Sequence, residues 1–148
     1  MAKDRYKIPI AVHLVAFQKG KALLLRRFNT GYRDGYYSVP SGHIDGKESL
    51  TQAALRETLE EIGIKLKPNH IKMVHTQHVG LRENNKEYLM LYFTTNHKLD
   101  DAKIMEKDKC DDLRWFPLNN LPVKMVPYVR EAIKQIRHKT IYSETAWK

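Results

Sequence analysis

Cysteine is almost missing from the chain: Cys110 is the single one in 148 residues. A lone thiol excludes an internal disulfide and any site built on a cysteine pair, so its expected role is that of a small buried side chain. No apolar run approaches the roughly 18 to 20 residues that span a bilayer. The opening MAKDRYKIPIAVHLVAF begins basic, but its apolar part is interrupted by His13 and followed by Gln18 and Lys19. It also lacks a small-residue cleavage site, so it reads as a strand rather than a signal peptide. These absences make a cytoplasmic protein with no membrane partner the default expectation. Repeats, low-complexity runs and Pro/Gly/Ser linkers are lacking too. A chain of this length, 42% hydrophobic, is expected to form one domain across residues 1–148 around a single core.

Acidic residues are the minority, 17 against 26 Lys and Arg, which leaves a formal charge of +9. Such a balance favours anionic partners, namely nucleotides, nucleic acid or an acidic surface. The basic residues are dispersed, however, and a solvated lysine-rich surface explains them equally well.

What is present reads as alternating strands and helices. Residues 8–17 and 22–28, joined by QKGK, predict a two-stranded hairpin. Residues 29–48, rich in glycine, tyrosine and turn formers, predict a long loop. A helix is expected over 49–62, with Ser49 and Gln52 at capping-box spacing and Gly63 just past its end. Strands are expected at 71–81 and 87–95 around the turn RENNK, with a short one at 113–116. A final helix is expected over 127–138. This order predicts a mixed α/β domain with helices packed on a sheet.

The first helix carries the chemistry. At 100° per residue, Glu57, Glu60 and Glu61 share about a third of its circumference. Leu55, Thr58, Leu59 and Ile62 point mostly elsewhere and are expected to pack on the sheet. Three crowded carboxylates raise one another's proton affinity unless a cation relieves them. Lysines can supply that charge, and so can a hard divalent ion such as Mg²⁺. Taken alone, the ExxEE cluster reads as a solvated acidic face; the residues upstream of it change that reading.

Gly42 is followed by five residues and Glu48, then by seven and Arg56-Glu57, then by Thr58, Leu59, Glu60, Glu61, Ile62, Gly63 and Ile64. This run resembles the Nudix box, G-x5-E-x7-R-E-U-x-E-E-x-G-U, with every fixed position filled over 23 residues. Thr58 departs from the usual aliphatic residue. The segments before the box, around Trp115 and over the last helix are similar as well, so the resemblance covers roughly residues 5 to 140. It implies an α/β/α sandwich around a mixed sheet flanked by helices. It also implies hydrolysis of a nucleoside diphosphate linked to a further group, with Mg²⁺, or alternatively Mn²⁺, as cofactor.

The resemblance also suggests roles. Glu57, Glu60 and Glu61 are the expected metal ligands and catalytic residues, helped by the backbone of Gly42. Arg56, also among the catalytic candidates, is expected to orient the glutamates through ion pairs. Glu48 either braces the helix start or reaches the metal through water. Glycines 42, 46 and 63 serve backbone geometry. The general base stays unassigned between a glutamate near the metal and a carboxylate outside the box; there Glu106 is the candidate further ligand or base, with Glu83 and Glu87 as competitors. Arg33, Tyr32, Tyr36 and His43 are candidate substrate contacts, through phosphate clamping or stacking. His13, His75 and His78 lack metal-ligand spacing and read as strand residues, while Trp115 and Phe116 belong to the core edge.

Subfamily markers for ADP-ribose, dinucleoside polyphosphates, coenzyme A and oxidised purines are all missing. Elimination therefore points to a nucleoside triphosphate or similar small nucleotide, acted on by a monomer or homodimer. Nucleic acid is the less favoured partner. Two alternatives stay open: a non-catalytic module that binds a nucleotide or RNA, and a hydrolase of RNA ends or caps, which would make the best use of the positive charge.

Overall fold

Lys19 and Gly20 both adopt positive φ, 49° and 73°, the backbone that lets a two-residue turn follow the natural twist of paired strands. They join β1 (Ile10–Gln18) to β2 (Lys21–Arg27), as the hairpin expectation requires. The pairing ends almost where it starts, with Phe17 opposite Ala22 and Gln18 opposite Lys21. Beyond this turn the two strands part. The first half of β1 pairs instead with β4 (Ser41–His43), Val12 lying opposite Gly42. β2 turns to β3 (Tyr37–Ser38) and β7 (Cys110–Pro117). The long loop predicted over 29–48 therefore contains two short strands, and the strand expected at 113–116 is twice that length.

The computed structural model describes residues 2–81 and 85–147, with only the backbone described at position 81. The first three residues of the predicted RENNK turn, Glu83 included, lie outside the described residues. On its other side β1 runs parallel to β6 (Lys86–Thr95). β6 pairs antiparallel with β5 (Ile71–Leu81). A strand absent from the sequence reading, β8 (Tyr142–Thr145), adds in parallel to β5 at the sheet edge. The result is a mixed sheet ordered β3-β2-β1-β6-β5-β8, with β4 on β1 and β7 on β2.

Strand alternation sends successive side chains to opposite faces, and each face carries a helix. Val12, Leu14 and Ala16 of β1 meet Ala53, Ala54 and Ile62 of α1 (Leu50–Ile62). Ala11 and Val15 meet Val129, Ala132 and Ile133 of α2 (Pro127–Arg137). The expected helix-sheet-helix sandwich is thus present. None of the described helices is long and apolar enough to cross a membrane.

Both ends of α1 follow the predicted capping. Ser49 accepts from Gln52 N, the Gln52 side chain accepts from Ser49 N, and Gly63 closes the helix at φ 70°. Thr58, the departure from the aliphatic pattern, is buried, and its hydroxyl donates to Ala54 O at 2.7 Å. A backbone partner thus removes the cost of burying that hydroxyl. Leu59 corrects the expectation that it packs on the sheet: it is 45% exposed. It lies about 140° round the helix from buried Ala54, on the solvent side. By the same geometry Glu61 lies about 20° from Ala54 and points inward, whereas the Glu60 side chain, further round, stays 50% exposed.

Candidate active site

Gly42 carries no side chain because Glu57 occupies that space. A Cβ placed on Gly42 would stand 2.1 Å from Glu57 Oε1 and 2.2 Å from its carboxyl carbon. The glycine lets β4 lie directly against the carboxylate that α1 presents. Arg56 holds the arrangement together. Its Nη2 donates to Glu48 Oε1 at 2.8 Å and its Nε to Glu48 Oε2 at 3.1 Å, a two-pronged pairing. Nη1 donates to Glu57 Oε1 at 2.8 Å and to Glu60 Oε2 at 3.4 Å, and Nη2 reaches His43 O. Glu48 also accepts from Asp45 N, so it fixes the loop to the guanidinium rather than capping the helix. Those contacts hold the Glu48 carboxyl down at about 2, with the Arg56 hydrogen bonds as the leading cause.

The other carboxylates sit in the opposite electrostatic setting. Burial raises Glu57, against the pull of Arg56, and Glu60 and Glu106 add to the rise. Burial pushes Glu61 up to about 8; the bond from Ser41 N opposes this, and the charges of Glu57 and Glu106 reinforce it. Glu106 arrives from a segment pinned to the end of α1, where Lys103 N donates to Ile62 O and Met105 N to Glu61 O. Cys110, buried at the start of β7, stands close enough for Glu61 to raise its thiol, although burial is the larger cause.

Glu57, Glu60, Glu61 and Glu106 face a cavity of about 840 Å³. Among the described residues no three His, Cys, Asp or Glu side chains converge on one point as placed, because Glu57 and Glu60 turn toward Arg56 while Glu61 Oε2 bonds Ser41 N. The donor chemistry still suits a hard divalent ion. Carboxylate oxygens are its preferred ligands, and a dication offsets the burial that chiefly keeps Glu57 and Glu61 reluctant to ionise, together with the repulsion that adds to it.

The NUDIX domain family model matches residues 7–136. The chain belongs to the Nudix hydrolase family. It is 31% identical over 126 residues to the NAD-capped RNA hydrolase NudC of Shigella dysenteriae, covering 84% of this chain but only 46% of that protein. It is 26% identical over 147 residues to the RNA pyrophosphohydrolase of a Wolbachia from Brugia malayi, covering 90% of this chain and 89% of that one. In three dimensions it resembles the MutT NUDIX hydrolase of Burkholderia pseudomallei, with a TM-score of 0.79 at 22% identity over 88% and 98% of the two chains.

Against this Nudix frame the candidate residues divide. Gly42, Arg56, Glu57, Glu60, Glu61 and Glu106 line one cavity, with Tyr32 and His43 at its wall. Arg33 and Tyr36 are absent from that lining. The Arg33 guanidinium stacks 6.0 Å from the Tyr32 ring and 5.5 Å from the Tyr36 ring, and Tyr36 packs beside the α2-side core. Glu87 also stays outside the lining, bonded to His78. The sequence reading missed Arg27, Lys109, Tyr88, Met90 and Tyr128, and it treated His13 as an ordinary strand residue; all six line the cavity. They come from five separate elements or loops, so no spacing motif marks them. The alternation of β1 does place His13 on the same face as Ala11 and Val15.

Proposed function

We propose that this chain hydrolyses a phosphoanhydride bond in a nucleoside diphosphate carrying a further group, with Mg²⁺ or Mn²⁺ held by Glu57, Glu60 and Glu61 beside the Gly42 backbone. The observation that supports this best is the packing of Glu57 against a glycine that leaves no room for any side chain. A divalent ion at such a site neutralises phosphate charge and eases attack by water. Arg56 orients Glu57 and Glu60 and keeps the loop from Gly42 to Glu48 in register with the helix. Glu106, on a separate segment that faces the same cavity, takes the proton from the attacking water. Of its two competitors, Glu87 is engaged elsewhere with His78. Arg27 and Lys109 supply positive charge at the cavity wall.

The cavity volume falls in the range of small-ligand sites, which supports a nucleotide substrate. The +9 charge and two relatives named for action on RNA support a second reading, in which the nucleotide is the 5′ end of an RNA. A pure binding module has no need for carboxylates that repel one another. The test is a panel of nucleoside triphosphates, dinucleotides and 5′-triphosphate RNA, assayed with Mg²⁺, Mn²⁺ or EDTA at two salt concentrations. Hydrolysis that requires the ion and falls at least about a hundredfold in Glu60→Gln is the expected result. Steep salt dependence confined to RNA selects the second reading. A fully active Glu60→Gln variant would remove the ligand assignment.

A further inference from the structure

Two histidines lie fully inside the sheet, and they differ in one respect. His75, on β5, is satisfied at both ring nitrogens: Nδ1 lies 2.6 Å from Thr140 O and Nε2 lies 2.8 Å from Ser143 Oγ. It is a structural residue and does not line the cavity. His13, on β1, is 3% exposed, and its Nδ1 is the one buried side-chain polar atom without a hydrogen-bond partner among the described residues. It is also part of the cavity wall. Proteins rarely leave a buried polar atom unpaired, and where they do a functional reason is worth seeking.

The surroundings of His13 fix its ring mainly by stacking, with one weak interaction at the Leu91 backbone and none at Nδ1 among the described residues. The ring stacks on Tyr92 at 4.5 Å and 23°, and meets Tyr128 edge-on at 6.3 Å. The Tyr92 hydroxyl is already committed to Gln77 Oε1 at 2.8 Å. A half-turn about χ2 keeps the imidazole in the same plane and exchanges each nitrogen with a carbon, so the stacked ring can offer its polar edge in either sense. Burial pushes the imidazolium down to about 3, against a weaker upward pull from the Leu91 backbone. The ring is therefore neutral at any ordinary pH and has both a donor and an acceptor.

Its position matches one end of a nucleotide. The cavity is lined from both faces of the sheet, by the glutamates of α1 and by residues of the α2-side core. The carboxylates stand at the first end. Val39, Tyr88, Met90 and Tyr128, from the α2-side core, line the second together with His13, whose ring meets that of Tyr128. One end suits a charged polyphosphate, and the other suits a flat heterocycle with a polar edge.

We propose that His13 is the residue through which this cavity recognises the substrate's nucleobase, by a hydrogen bond between the imidazole and the base edge. This assignment rests on the nucleotide reading of the site given above.

The test is the His13→Phe variant, which keeps a planar ring to stack on Tyr92 and removes both nitrogens. Binding of the four nucleoside monophosphates and of ribose 5-phosphate is measured by calorimetry or NMR titration in EDTA. Wild type is expected to bind at least one monophosphate about tenfold or more tightly than ribose 5-phosphate. In His13→Phe that preference is expected to fall by roughly tenfold, with a melting temperature equal to or above wild type, because the unpaired nitrogen is gone. His13→Gln retains a polar edge, is expected to keep part of the preference, and serves if the phenylalanine variant misfolds. No preference in wild type, or an undiminished one in the variant, overturns the assignment. A wild-type protein that hydrolyses nothing in the substrate panel overturns the hydrolase reading and leaves this binding ratio as measured.

Discussion

Gly42→Ala separates the stability of this protein from its chemistry. The added methyl carbon would sit 2.1 Å from Glu57 Oε1, whereas ordinary contacts begin at 3.4 Å. The carboxylate must therefore retreat by about 1.3 Å, or the strand must move away from α1. The obstructing atoms are the end of a flexible side chain, so the carboxylate gives way first. Its bond from Arg56 Nη1 is then lost, while the two-pronged Arg56–Glu48 pair survives. The cost in stability is expected to stay near the low end of overpacking, about 1 kcal/mol. The cost in turnover is larger, because a displacement of about 1 Å at a reacting centre can lose about a hundredfold. Hydrolysis under saturating Mg²⁺ and urea unfolding of the same preparation measure the two effects. A Gly42→Ala enzyme within threefold of wild-type turnover would refute the argument that this glycine exists to admit Glu57.

Two further predictions concern the metal-free fold. Ser49→Ala removes one half of the capping box at α1 and is expected to destabilise the protein by about 1 kcal/mol in urea titrations, with m unchanged. In EDTA, Glu61 holds its proton in the folded state up to about 8, so by itself it makes stability fall as pH rises from about 4.5 to 8. His13, neutral in the fold down to about 3, makes stability rise with pH up to about 6.5. The two trends oppose each other below about 6.5; above it Glu61 dominates, and the raised Glu57 acts in the same direction. Metal-free protein should therefore lose about 2 kcal/mol between pH 6.5 and 8, and Glu61→Gln should be nearly flat across that window. Thermal melts in EDTA check this, and an equal slope in both proteins counts against the burial of Glu61.

The legible parts of this molecule are those whose cause is local. The helix pitch and one tight loop set the spacing from Gly42 to Ile64, so the box and both caps of α1 could be read directly. The Lys19-Gly20 turn was legible for the same reason. Strand β8 was not, because its four residues carry no apolar pattern. Distant polar contacts hold it, from Gln77 to Thr145 Oγ1 and from His75 to Ser143 Oγ. Arg33 and Tyr36 have the right chemistry for a substrate contact, but a cation-π stack with Tyr32 absorbs Arg33 outside the cavity wall. His13 and Tyr128 become neighbours only because β1 and α2 pack face to face, which no single stretch of sequence announces.

The last carbonyls of any α-helix need outside donors, and in α1 those of Glu61 and Ile62 receive them from Met105 and Lys103. The strap that finishes the helix is thus also the arm that carries Glu106 to the cavity. Fraying at this helix end would release Glu61 and Glu106 from the cavity wall together, so a lesion in the strap is expected to read out as lost hydrolysis before it reads out as an unfolded protein.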